Sequence, residues 1–322
     1  MTPNEFPPSP PGGIPFKEYT LYFSNFDTYE SCPQKFLWSR GWYDIDLGYG
    51  MGKKRPPPVK SSEHDRLMGE IIQKAVEDMY NKELWKDPAT LQDKLAEIVR
   101  KEFYHKMQKS YIDWNRAPTQ HDMLETCHAG VTGYLKTMRH NKLLGVFNKA
   151  EMEFVCRTDK DTSIGGKADL VVRRSDTGVI ILDGKNSKTR GKYTVPDQLR
   201  WYALCYWLCF DAMPDRLAFV YYRYPYGTPV LNEFGNPTGE VESGLVDVSF
   251  TKEDLEGLAL RTIDVHKGMR EHKFEPNPEP SRCKFCDFET VCEARQSTKR
   301  KRNAKKTTLE QQVIDGGGLI EL

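Results

Sequence analysis

Long apolar runs are missing from this 322-residue sequence: nowhere do about 18 apolar residues follow one another, the length a membrane-spanning helix needs. Net charge is almost absent as well. The 47 Lys and Arg residues against 46 Asp and Glu leave +1. The chain is therefore no simple polycation, and any affinity for nucleic acid has to come from local clusters. No Gly-x4-Gly-Lys-Ser/Thr run occurs, which excludes a P-loop motor within these residues. There is no internal repeat. The Pro- and Gly-rich start has no apolar signal core, so a cytoplasmic protein is expected.

Local clusters are present. Lys299, Arg300, Lys301, Arg302, Lys305 and Lys306 crowd together near the C-terminus. Residues 1–18 read as a flexible arm and 51–62 as a mobile basic loop. Residues 297–322 read as a basic flexible tail of the kind that attracts DNA without sequence preference. Of eight cysteines, Cys283, Cys286 and Cys292 are crowded together and Cys32 stands alone. Cys127, Cys156, Cys205 and Cys209 lie in apolar stretches and read as core residues. In a reducing compartment this is no disulfide framework.

Apolar spacing predicts helices through Leu67–Met79, Leu91–Val99 and Met123–Met138. The pattern then switches to short strands at 151–157, 166–173 and 178–185. A helix from Pro196 to Phe210, a strand at 217–224 and a helix over 251–270 capped by Thr251 follow. Such an order implies an α/β core with a helical annex.

Chemistry concentrates in GGKADLVVRRSDTGVIILDGKNSK. Residues i and i+2 of a strand face one way, so Asp183 and Lys185 share a side, and Asp169 on the neighbouring strand can join them. Two carboxylates suit Mg2+ or Mn2+, which take hard oxygen ligands, acidify a bound water and neutralise charge at a phosphoryl group. Taken alone, Asp-x-Lys is a common string that also fits a turn after a buried strand. Gln198 and Tyr202 are one helical turn apart and share a face. They follow Lys185, Lys188, Arg190 and Lys192, which suit phosphate contacts.

Gly166…Asp169, Asp183-Gly184-Lys185 and Gln198-x-x-x-Tyr202, in that order, resemble the motifs of the RecB-like branch of the PD-(D/E)XK nucleases. The resemblance implies a restriction-endonuclease-like core, a central mixed sheet flanked by helices. It also implies that Asp169 and Asp183 bind metal, that Lys185 is catalytic, and that Gln198 and Tyr202 position DNA, with Lys188 and Arg190 beside them. The family often carries another acidic residue on the preceding strand, where Glu153 and its rival Glu151 stand. It often has histidine in an early Gly-x-x-x-His pattern, where this chain has Gly69-x-x-x-Gln73. Gln73 is expected to line the site with Glu77 or Glu70 supplying a further oxygen.

Thiolates bind soft or borderline metals in fours, and the local trio is one short; Cys32 is the natural fourth. Cys32 with Cys283, Cys286 and Cys292 is similar to the arrangement of iron–sulfur RecB-like nucleases, which include CRISPR-associated and phage exonucleases. Phe23-Ser24-x-Phe26-x-x-Tyr29-x-x-Cys32-Pro33 also resembles their N-terminal motif. A 4Fe–4S cluster is implied, with Zn2+ on the same ligands as the alternative. Domains are expected at 19–145 (helical, with the first cysteine), 146–250 (nuclease core) and 251–296 (final helix and cluster). The activity implied is exonucleolytic hydrolysis of linear DNA for recombination, repair or processing, in a bacterial or phage-infected cell. Partners of that family are helicases, single-strand annealing proteins and CRISPR integration proteins. The alternative is a DNA-binding or assembly subunit that keeps the fold without catalysis.

Overall fold

The computed structural model describes residues 20–40, 64–115, 117–144, 147–174, 178–190, 195–224, 227–271, 273–284, 286–290 and 292–298. The expected arm at 1–18, the basic loop at 51–62 and the basic cluster from Lys299 onward lie outside them. The described chain forms two compact units, one of residues 64–263 and one of residues 20–40 and 264–298. Helices and strands that the sequence assigns to separate regions, 19–145 and 146–250, thus share the first unit from His64 onward.

The first unit opens with α3 (His64–Asn81), α4 (Leu91–Met107) and α5 (Gln120–His140); α1 (Phe23–Ser31) and α2 (Pro33–Arg40) precede them in the chain and belong to the other unit. Each exists because its apolar residues recur every three or four positions. Leu67, Ile71, Ile72, Ala75 and Met79 of α3 are buried, as are Leu91, Leu95, Val99 and Phe103 of α4. Thr119 caps α5, its hydroxyl oxygen accepting from the Asp122 N–H at 3.1 Å. At the heart of this layer the Tyr80 and Tyr134 hydroxyls meet at 2.8 Å, which satisfies two buried polar groups.

The sheet has strand order β2 (Phe147–Arg157), β3 (Ser163–Arg174), β4 (Gly178–Lys185), β5 (Arg216–Tyr221) and β8 (Leu245–Val248). Only β4 and β5 are parallel, and α6 (Pro196–Phe210) makes the crossover that a parallel pair requires. Leu170, Val172, Ile180, Leu182, Ala218 and Val220 face the α3–α5 layer. α6 lies on the other face against β2–β5, with the Trp201 indole N–H donating to the Gly165 carbonyl at 2.8 Å. A Cβ on Gly166 would stand 3.0 Å from the Tyr202 ring, so the Gly-rich start of β3 lets α6 approach the sheet. The result is a central mixed sheet flanked by helices. A hairpin of β6 (Thr228–Leu231) and β7 (Pro237–Glu242) follows β5. The reciprocal Thr251–Asp254 cap then starts α7 (Lys252–Arg270).

The second unit holds β1 (Thr20–Tyr22), α1 (Phe23–Ser31) and α2 (Pro33–Arg40) together with the chain after Asp264. Its core is aromatic. Tyr29 meets Phe36 and Phe274 edge-on, Phe36 stacks on Phe274, and Trp38 meets Phe288 edge-on. The Tyr29 hydroxyl donates to the Lys273 carbonyl at 2.6 Å. No helix among the described residues is long and apolar enough to cross a membrane.

Candidate metal centre

The β3–β4 ladder ends at the Leu170/Leu182 pair, while β4 goes on pairing with β5 as far as Lys185/Tyr221. The sheet therefore forks just where Asp169 and Asp183 stand. Asp169 accepts from the Gly184 N–H at 2.8 Å, which ties the strands together across the fork. Glycine is required at 184, because a Cβ there would collide with the Tyr222 hydroxyl.

Asp183 is buried. Its Oδ2 lies 2.6 Å from Lys185 Nζ, and its Oδ1 accepts from Gln198 Nε2 at 2.9 Å. Gln198 Oε1 in turn accepts from Lys185 at 2.8 Å, and Tyr202 lies within 3.3 Å of the same amide. Lys185 also sits 5.0 Å above the Phe219 ring. Each of the residues that sequence reasoning grouped here, Asp169, Asp183, Lys185, Gln198 and Tyr202, is thus found in one connected arrangement.

Burial and the adjacent Asp183 hold the Asp169 carboxyl well above the ordinary carboxylate range. Burial likewise raises Asp183, with Lys185 pulling the other way. Among the described residues Asp169 pairs with no cation; its hydrogen-bond donor is the Gly184 amide. Two carboxylates sharing one lysine in a buried place leave negative charge uncompensated. That charge balance, made of hard oxygen donors, fits a divalent cation that keeps several waters. No group of three or more His, Cys, Asp or Glu side chains among the described residues converges on a single ion.

Asp169, Gly184 and Tyr222 line a cavity of about 890 Å³ together with Gln73, Glu77 and Glu151. Its floor is acidic, and Arg66, Lys74, Lys106 and Lys109 also face it. Glu151, the rival residue, reaches this cavity, whereas Glu153 is exposed on the outside of β2 and is not among its lining residues. The reason is local: Glu151 adopts φ 53°, which breaks the strand alternation that would give both side chains one face. Glu151 is clamped by Gln73 Nε2 at 2.8 Å and Lys167 Nζ at 2.7 Å.

Gln73 lines the cavity as expected, but its carbonyl oxygen accepts the Tyr222 hydroxyl proton. The expected use of that oxygen on metal gives way to a tether from Tyr222 through Gln73 to Glu151. Glu77 and Glu70 both line the cavity, with Glu77 held by Lys74 at 3.1 Å and Glu70 by Lys106 at 2.7 Å. Tyr222 and Asn186 went unread in the sequence. Asn186 donates to the Asp65 carbonyl at 2.9 Å while its Oδ1 is buried without a hydrogen-bond donor. Arg190 is bonded to Glu242 and stacks over Tyr224, whereas Lys188 lies elsewhere, in a second cavity.

In the second unit, Cys32, Cys283, Cys286 and Cys292 line one cavity of about 380 Å³. Cys32 Sγ accepts from the Asn277 N–H at 3.5 Å, and the Cys292 thiol donates to Gln34 at 3.6 Å. Lys35, Arg282 and Arg295 face the same space. Burial raises the Cys283 and Cys286 thiols.

A family model described as the PD-(D/E)XK nuclease superfamily matches residues 21–293. Among curated proteins nothing matches the sequence. A crystal structure of the protein SSO0001 aligns at 13% identity over 81% of this chain and 96% of that one. Its TM-score of 0.32 is too low to carry an argument.

Proposed function

Because the chain belongs to the PD-(D/E)XK nuclease superfamily, we propose that it is a Mg2+- or Mn2+-dependent deoxyribonuclease acting on linear DNA as an exonuclease. The observation that carries this reading is the buried Asp169–Asp183 pair at the sheet fork, with Lys185 its neighbouring cation among the described residues. Asp169 and Asp183 would hold the metal, with Glu151 the nearest further carboxylate on the cavity floor. A bound divalent ion supplies an acidified water and neutralises charge at the scissile phosphate.

The remaining work falls to the chain's own groups. Lys185, fixed by Asp183 and Gln198, presents an ammonium where charge develops on the phosphoryl oxygens or the attacking water. Gln198 keeps Lys185 and Asp183 in register, and Tyr202 backs Gln198 from one turn further on. Arg66, Lys74 and Lys106 on the cavity wall are paired with Glu70 and Glu77, so a phosphate approaching this acidic lining would depend on the bound divalent ion to offset its charge. Glu153, which does not line that cavity, is no part of the proposal.

The thiol cavity supports a 4Fe–4S cluster on Cys32, Cys283, Cys286 and Cys292. All four cysteines line the one cavity, and soft thiolates in fours suit such a cluster, with Zn2+ on the same ligands as the alternative. Lys35, Arg282 and Arg295 would offset the negative charge of four thiolates and their metal.

One observation favours a second reading, DNA binding without cleavage: the Gln73 carbonyl is already engaged by Tyr222. Incubating anaerobically purified protein with end-labelled linear DNA and Mn2+, beside Asp183→Ala, separates the two. Cleavage by the wild type alone supports the nuclease, and release of label as mononucleotide marks an exonuclease. DNA binding with no cleavage by either protein supports the second reading.

A further inference from the structure

Lys188, Arg223 and Lys136 come from three different elements, the segment after β4, the turn after β5, and α5. All three line one cavity of about 670 Å³. Tyr222 is a wall of this cavity and of the one that holds Asp169, so the two spaces lie on either side of a single residue. We propose that this second cavity seats a backbone phosphate of the DNA strand, beside the one being cut. The inference rests on the nuclease reading and adds a binding subsite to it.

The lining suits a phosphodiester. Lys136 and Lys188 are exposed and make no ion pair among the described residues. Arg223 is mostly buried; its Nε has no acceptor, and its closest carboxylate is Asp65 at 3.7 Å. The wall contributed by α5 is bare between its charged ends. Ala129, Thr132 and Gly133 leave room for a strand to approach the helix. Gly133 has no alternative, since a Cβ there would stand 2.5 Å from the Tyr222 carbonyl oxygen.

Asp122 and Glu125, the acids of this cavity, lie at the start of α5. At about 1.5 Å of rise per residue they sit roughly 16–21 Å along the axis from Lys136. A phosphate is therefore drawn away from these acids toward Lys136, with Arg223, whose charge reaches Cys127 nearer the start of α5, and Lys188 completing the cationic lining. A continuous strand could then pass from these cations over Tyr222 to the carboxylates.

The test is the salt dependence of binding by a single-stranded oligonucleotide without terminal phosphates. It is followed by fluorescence anisotropy in EDTA, where no cleavage proceeds. Lys136→Ala and Lys188→Ala should each weaken binding several-fold and lower the slope of log K against log salt by about 0.7. Lys86→Ala, on an exposed lysine lining neither cavity, should change neither. Mn2+-dependent hydrolysis of bis(p-nitrophenyl) phosphate, too small to span both cavities, should stay at the wild-type rate in Lys136→Ala. Unchanged slopes in both lysine variants, or an equal fall in Lys86→Ala, would overturn the subsite. Failure of the wild type to hydrolyse the small ester, with the lysine effects intact, would instead overturn the nuclease reading and leave the subsite standing.

Discussion

The carboxylate centre of the first unit and the thiol cavity of the second are built from opposite materials. Asp183 and Lys185 stand on a strand whose ladder with β5 fixes each side chain's direction, and Asp169 at the end of its ladder is held by the Gly184 N–H, so the carboxylates are buried close to one another. Cys32 lies between two short helices, and Cys283, at the end of the short helix Pro280–Cys283, Cys286 and Cys292 follow about 250 residues later. The first arrangement concentrates charge on rigid backbone, and burial keeps Asp169 and Asp183 reluctant to ionise. The second leaves its thiols half-buried around an open space, held by few polar contacts. A strand-built site can hold its geometry before metal arrives. A loop-built thiol site of the kind proposed would take its geometry from the metal, as small metal-stapled regions do.

That contrast can be broken by substitution. The largest effect is expected from Lys185→Ala, which should lower single-turnover cleavage by about 10²–10³-fold. Iron content and visible absorbance should stay unchanged; a loss of both would show that the units are not independent. Next, Cys283→Ser should abolish the visible absorbance and lower the melting temperature, while hydrolysis of the small ester survives in the first unit.

Gln73→Ala should raise the Kd for Mn2+ about tenfold by releasing Glu151, and Tyr222→Phe should do so by less, as outer partners of metal ligands do. Calorimetric titration reads both. Asp169→Asn should raise the melting temperature of the metal-free protein by a few degrees and remove its stabilisation by Mn2+. The sign follows from the raised carboxyl. Native metal-free protein loses stability as pH rises through that value and regains it as pH falls and the proton is taken up. The variant should show a smaller slope in melts between pH 4 and 8, with Asp183 alone still raised by burial. The smallest effect is expected from Arg190→Ala, whose guanidinium already serves Glu242 and Tyr224. DNA affinity should change by less than about twofold.

How much was legible in the sequence follows the same division. The period of two placed Asp183 with Lys185, and the helical turn placed Gln198 with Tyr202, because regular elements convert spacing into direction. Glu151 could not be chosen over Glu153, since its positive φ suspends the rule that would have ranked them. Tyr222 was hidden for a related reason. The strand expected over 217–224 ends at Tyr221, and the next residue turns back against Gly184. The β6–β7 hairpin escaped notice because Pro229 and Pro237 interrupt its strand patterns. Arg190 was therefore assigned to DNA without sight of Glu242. In the second unit no periodicity helped; the count of thiols and the resemblance of the Phe23–Pro33 stretch to a family motif pointed to Cys32.

The most direct test is a crystal of the anaerobically purified protein soaked in Mn2+, with anomalous data collected at the manganese and iron edges. Manganese is expected within bonding distance of both Asp169 and Asp183, and iron among Cys32, Cys283, Cys286 and Cys292. Carboxylates without manganese in a well-occupied soak, or a single zinc ion among the thiols, would contradict the assignment of the corresponding site.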